Sequence, residues 1–192
     1  MKVVTTIAAV VIALVLQSLM ARLTGLSRLP VDLALVAVVT IALLYGKVAG
    51  LLGGTLAGLA QDGLVPGVMG IGWMVSSLGQ NTMVGGVLGI GGMASSLAGF
   101  LSGYLGTQFI VTQMVPRFLL FAGATVVHDA VFMGLYSVLG LRRFDQPYLD
   151  VMMRALVNAT VGILLFWLIE TLPGLPERMR IRRERQRKVR YH

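Results

Sequence analysis

Apolar residues fill long blocks of this chain, and short polar or Gly/Pro clusters separate them. The first block runs from Val3 to Met20, with Lys2 before it and Arg22 after it. A bilayer core needs roughly 17–25 apolar residues in a helix, so this run just suffices. A signal peptide is the rival reading, because Lys2 supplies a charged leading region. The run is longer than a usual signal core and lacks a small-residue cleavage site, so a retained helix is expected. Gly25, Ser27 and Pro30 then mark a loop. Pro30 suits the start of a second helix, where a missing N–H is harmless. Asp32 follows, favourable beside the positive end of that helix. Gly46-Lys47 interrupts the apolar pattern, and Val48 resumes it. One unbroken helix over 31–60 would be about 45 Å long. A tight hairpin of two short helices fits a bilayer better.

The third segment carries Gly46, Gly50, Gly54, Gly58 and Asp62, one every four residues. On a helix that spacing makes one narrow stripe. Small residues there let a second helix come close. Two readings stand: packing within this chain, or packing against a partner's helix. A tandem duplication follows. Residues 67–80 and 86–99 are identical at nine of fourteen positions. The first copy, bounded by Pro66 and Gln80-Asn81, reads as an insertion near 64–83 that is interfacial or re-entrant. Irregular backbone at that depth needs protein or water around it. The second copy leads into a full span, with Gly91, Ser95, Gly99, Gly103 and Thr107 as another small-residue stripe. A fifth block opens at Pro116-Arg117 and a sixth closes at Pro173-Gly174. The pattern predicts an all-α polytopic membrane protein. Its spans lie near 3–20, 31–45, 48–62, 84–111, 115–141 and 148–172, with residues 1–176 as one helical domain.

Composition sharpens this picture. Charged residues are 12% and hydrophobic residues 56% of the 192, with mean hydropathy +0.84. Soluble domains carry about 25% charged residues. A soluble globular chain and a disordered one are both excluded. The 24 glycines have no collagen period, and the absence of cysteine removes disulfide and thiol chemistry. The net charge of +8 is concentrated at one end, where eight Arg and Lys face Glu177 and Glu184 over 177–192. A basic stretch after an apolar span reads as a cytoplasmic tail that meets anionic lipid. Nucleic-acid binding is not expected, since no recognition fold fits beside so much apolar sequence. Six spans with both termini inside put Lys2, Lys47, Arg117 and the tail in the cytoplasm. Arg22, Arg28, Arg142, Arg143 and Arg154 then face outward. A fully spanning duplicated segment would change that parity.

Ionisable residues inside apolar blocks are functional candidates by default. His128 and Asp129 sit mid-way along the fifth block. They suit binding of a proton, a ligand or a partner residue, or a buried structural pair. Neighbours lie about 100° apart around a helix, so the two are not expected to share one face squarely. Arg154 and Glu170 flank the last span and are expected to reach their own interfaces. Asn158, one turn inside Arg154, is placed to hydrogen-bond across helices. No metal site is expected, because one His and scattered carboxylates fall short of a ligand set. No hydrolase elbow, phosphate loop or zinc-protease motif is present. A Gly-x-Gly-x-x-Gly match near 86–99 lacks its βαβ setting.

The order of these features resembles a known family. Pro30-Val31-Asp32-Leu33 opens a short apolar helix that ends at Gly46. Next comes Gly50-x-x-Gly53-Gly54-x-x-x-Gly58-Leu59-x-x-Asp62, then Leu88-Gly89, then Gly99-Phe-Leu-Ser-Gly103-Tyr-Leu-Gly106. This resembles the rod shape-determining MreD family over roughly residues 3–172. There a glycine-rich third helix ends in Gly-Leu-x-x-Asp, and a Leu-Gly opens the next. The chain departs from the pattern in its duplicated insertion and its longer basic tail. The resemblance implies a fold similar to the substrate-binding subunits of energy-coupling-factor transporters. It implies a non-enzymatic scaffold in the cytoplasmic membrane, part of the machinery that elongates rod-shaped bacteria and builds peptidoglycan, with no cofactor. The implied partners are MreC, RodA, a class B penicillin-binding transpeptidase and MreB. Gly50, Gly54, Gly58, Asp62, Gly99 and Gly103 are then candidates for binding MreC. Two other classes are weighed. A transport subunit would hold a small ligand near His128 and Asp129, and an enzyme on a lipid-linked substrate would rely on Asp62.

Overall fold

The computed structural model describes residues 2–23, 31–64, 89–108, 113–140 and 147–171. The described residues form six helices and no strand. These are α1 (Lys2–Leu23), α2 (Leu33–Tyr45), α3 (Lys47–Leu64), α4 (Ile90–Gln108), α5 (Met114–Val138) and α6 (Pro147–Thr171). The duplicated insertion from 65 onward and the basic tail lie outside the described residues. So do Arg28, Arg142 and Arg143. The expected spans at 84–111, 115–141 and 148–172 correspond to α4, α5 and α6, with α4 described only over 90–108. Met114–Val138 and Tyr148–Thr171 are long and apolar enough to cross a membrane.

Local chemistry fixes the hairpin between α2 and α3. Asp32 caps α2, its Oδ1 accepting from Leu35 N at 3.0 Å. Gly46 ends α2 with φ +93°, a conformation that favours glycine, while its N–H reaches Ala42 O at 2.8 Å. α3 begins at the next residue, and Gly50 N donates to Gly46 O. At the start of α5, Pro116 sits in the first turn, where no backbone partner is lost.

α2 is the central element, apolar all round and buried from Ala34 to Ala42. It touches each of the other helices. Val36 and Val39 meet Phe121 and Ala124 of α5 and Ala159 and Phe166 of α6. Ala34, Val38 and Ile41 meet Val10 of α1 and Ala57 of α3. These two sets follow helical spacing, so α2 divides the core into two halves.

The outside is apolar as well. Val11, Ile12 and Val15 of α1 are exposed, as are Leu52 and Leu56 of α3, Met93 of α4, Leu119 of α5 and Leu164 and Leu168 of α6. Buried positions, by contrast, include Thr6, Asp62, Ser95, Ser102, Thr125, His128, Asp129 and Asn158. Large apolar side chains thus cover the outside of these helices, while polar residues join the apolar core within.

Candidate functional site

α3 and α4 pack backbone to backbone. A Cβ built on Gly50 would fall within contact distance of the Gly99 carbonyl and 2.6 Å from Ala42 Cβ. On Gly54 it would strike the Ser95 carbonyl, and on Gly58 the Gly91 carbonyl. At Gly103 it would stand 2.5 Å from Lys47 Cα. The pairs Gly50–Gly99, Gly54–Ser95 and Gly58–Gly91 step in opposite directions, so the helices are antiparallel and meet along both stripes. Of the two readings of the stripe, the structure uses packing within the chain. The stripe faces of Gly50, Gly54, Gly58, Gly99 and Gly103 are covered by this chain's own backbone. A second helix cannot approach a face already closed to backbone contact. The side chains join across the same seam, with Thr55 Oγ1 and Ser96 Oγ 2.7 Å apart.

Asp62 sits at the end of this seam and is 6% exposed. Its Oδ2 accepts from Gly89 N at 2.8 Å, Gly91 N at 3.1 Å and Gly92 N at 3.4 Å. It therefore caps α4 from a neighbouring helix, where unsatisfied N–H groups and the positive helix end both favour a carboxylate. Gly91 gives the carboxylate room, since a Cβ there would meet Asp62 Oδ1. The end of α3 and the start of α4 thus lie side by side.

A second polar group gathers nearby, between the start of α2 and the middle of α5 and α6. Gln61 Nε2 donates to Asp32 Oδ1 at 2.9 Å. Asp32 N donates to Asn158 Oδ1 at 2.9 Å, and Asn158 Nδ2 to Thr125 Oγ1 at 3.3 Å. Thr125 Oγ1 in turn donates to Phe121 O at 3.0 Å. Gln17 of α1 accepts from Ala34 N at 3.1 Å. Residues of α1, α2, α3, α5 and α6 are joined here. Sequence reading singled out Asn158 for a hydrogen bond across helices, and it makes one. It missed Gln17, Gln61 and Thr125 as members of a site. The only available signal was a Gln-Asp pair closing an apolar helix and an Asn inside another.

One turn beyond Thr125, His128 Nδ1 lies 3.0 Å from Asp129 Oδ1, and both side chains are buried. Adjacent positions do not face one direction squarely, yet the two side chains bend together and meet. The imidazole stacks on Phe132 at 6.0 Å, and Phe132 packs on Tyr136. Arg154 Nη1 of α6 approaches Asp129 Oδ1 at 4.0 Å, its side chain 47% exposed. Arg154 therefore leans on Asp129 rather than reaching an interface alone. Asp129 Oδ2 has no hydrogen-bond partner.

At the opposite end, Arg117 and Glu170 form an ion pair between α5 and α6. The Arg117 guanidinium also lies over the Phe166 ring, 4.8 Å from its centroid. Glu170, expected to reach its own interface, stays partly exposed and pairs with Arg117. The Arg117 side chain is 7% exposed, and an Arg buried so far takes a carboxylate and a ring in place of water. Gly50, Gly54, Gly58, Asp62, Gly99 and Gly103 are thus brought together along one seam. His128 and Asp129 form a separate pair on α5. No family model matches this chain, and no curated protein and no solved structure matches it.

Proposed function

We propose that this protein is a multi-pass membrane scaffold of MreD type, acting in the complex that elongates rod-shaped bacteria. The observation that carries the reading is the junction at Asp62. Gly58-Leu59-x-x-Asp62 and Leu88-Gly89 are two of the elements by which the sequence resembles that family. Asp62 holds the amides of Gly89, Gly91 and Gly92, a physical reason for the two elements to occur together. The apolar exterior of five helices supports embedding in lipid, since soluble proteins rarely expose large apolar surfaces.

The antiparallel α3–α4 pair supports six spans with both termini on one side. The positive-inside rule puts that side in the cytoplasm, with Lys47 and Arg117 near it. MreC, RodA, a class B transpeptidase and MreB are the partners under this reading. With the glycine stripes closed internally, a partner's helix docks on an outer face. The test is affinity purification of the tagged full chain from its native membranes. Recovery of MreC and RodA is expected. Recovery of neither, under detergent that keeps the protein folded, rejects the reading.

A second reading is a small-ligand-binding transport subunit of energy-coupling-factor type. What favours it is the convergence of Asp32, Gln61, Thr125 and Asn158 inside the bundle, since selective pockets are built from a few placed polar groups. A vitamin that binds the folded state raises the melting temperature by mass action. A flat response across a vitamin panel discards this reading.

A further inference from the structure

Among the described residues, Asp129 Oδ2 is the one buried side-chain nitrogen or oxygen without a hydrogen-bond partner. Asp129 is 2% exposed. Burying a polar oxygen without a partner is unfavourable, and a bare anionic oxygen is the worst case. Such an atom in a native fold calls for an explanation. Its surroundings restrict the answer.

On its own helix, Asp129 has His128, joined to Oδ1 at 3.0 Å. From α6 it faces Arg154, at 4.0 Å and beyond hydrogen-bond reach. α4 also packs against α5 and brings no Asp, Glu, Lys, Arg or His over residues 90–108. α2 contributes Asp32 at its first turn, but that carboxylate accepts from Leu35 N and Gln61 Nε2. Arg117 and Glu170 are occupied with each other at the far end. No third metal-ligating side chain joins the pair among the described residues. The ligand that fits two adjoining titratable groups, with one bare oxygen and no metal set, is a proton.

We propose that His128 and Asp129 form an intramembrane proton-binding site, with Arg154 as its standing counter-charge. The pair binds one proton. The incoming proton adds to the bare Oδ2 of Asp129, and no other bond changes. Its arrival neutralises the carboxylate and so removes the attraction between Asp129 and Arg154. Protonation therefore loosens the contact between α5 and α6 at this level. The inference goes beyond the scaffold reading and stands whichever partner the protein has.

Infrared difference spectroscopy tests it on the full-length protein in lipid nanodiscs, stepped across pH. The expected result is a component of the neutral-carboxyl absorption that fades as pH rises and is missing from Asp129→Asn. In His128→Gln the midpoint of that component moves by about one pH unit, as coupled groups require. An absorption unchanged in Asp129→Asn, with no component lost, overturns the proposal. Should Asp129→Asn fail to fold, His128→Gln decides alone, and an unmoved midpoint overturns it.

Discussion

Asp62 shows how one side chain can join two helices. Three backbone amides of α4 end on its Oδ2, and no other residue of α4's own first turn supplies that acceptor. Removing a capping oxygen costs about 0.5–2 kcal/mol. Asp62→Ala is expected to lower the melting temperature of the purified protein, and Asp62→Asn to lower it less, because an amide oxygen still accepts. Equal stability of all three would mean that the amides are satisfied elsewhere. Asn158 poses a different case, since it accepts from Asp32 N and donates to Thr125. Interhelical hydrogen bonds in lipid are worth about 0.6 kcal/mol each on average, so Asn158→Ala is expected to cost little more than 1 kcal/mol. A chemical unfolding series in mixed micelles measures this, and Asn158→Leu separates packing from hydrogen bonding. That Asp62 and Asn158 matter was legible in the sequence, because lone polar residues in apolar runs draw attention. Their partners were not legible. Asp32 and Asn158 are 126 residues apart, and nothing in local periodicity records which distant amide a side chain will meet.

At the scale of helices, glycines of the same composition do two different jobs. Gly54 and Gly58 lie against the backbone of α4. Gly53 is one residue away, and a Cβ there would rest at an ordinary 3.5 Å from Thr6 Cγ2. At Gly123 a Cβ would meet nothing within 4 Å. Gly54→Ala and Gly58→Ala therefore force two backbones apart, and overpacking of this kind costs about 1–3 kcal/mol. Gly53→Ala and Gly123→Ala remove a helix-weakening glycine and are expected to be neutral or stabilising by up to about 1 kcal/mol. Thermal melting of the four single variants sorts them. If Gly53→Ala proves as damaging as Gly54→Ala, the seam is not where the geometry puts it. The stripe itself was visible from its four-residue period, as was the break at Gly46. What the period did not reveal was the receiving surface. A small-residue face looks the same whether its neighbour is the next helix of the chain or a helix of another protein. Here Gly91, Ser95 and Gly99 complement it at matched spacing, and the chain closes the seam on itself. The meeting of His128 and Asp129 was hidden for a related reason. Angular spacing describes where Cβ atoms point, whereas a hydrogen bond is settled by side-chain torsions beyond them.

For the molecule as a whole, the informative feature is the placement of chain ends and turns at two levels. The α2–α3 turn at Gly46-Lys47 and the Arg117–Glu170 pair lie at one end, while Asp32, Gln61, Asp62 and Gly89 lie at the other end of α2, α3 and α4, level with the middle of α5 and α6. If the bundle is embedded with six spans, the Gly46-Lys47 level and the Val138 and Tyr148 ends of α5 and α6 correspond to the two faces of the membrane. The sequence has no cysteine, so single cysteines can be introduced without removing any. Lys47→Cys and Met114→Cys are expected to react with a membrane-impermeant maleimide only when the cytoplasmic face is open. Gly63→Cys and Tyr148→Cys are expected to react from outside. Gly63 has nothing within 4 Å of an added Cβ, and Met114 and Tyr148 are well exposed, so these three positions tolerate the change. Reaction of all four from one side alone would exclude a bundle crossing the bilayer along its helix axes. Reaction with the two sides exchanged would keep the bundle and invert its orientation. That outcome would remove the cytoplasmic assignment of the basic stretch at 177–192, and with it the expectation that this stretch meets anionic lipid of the inner leaflet.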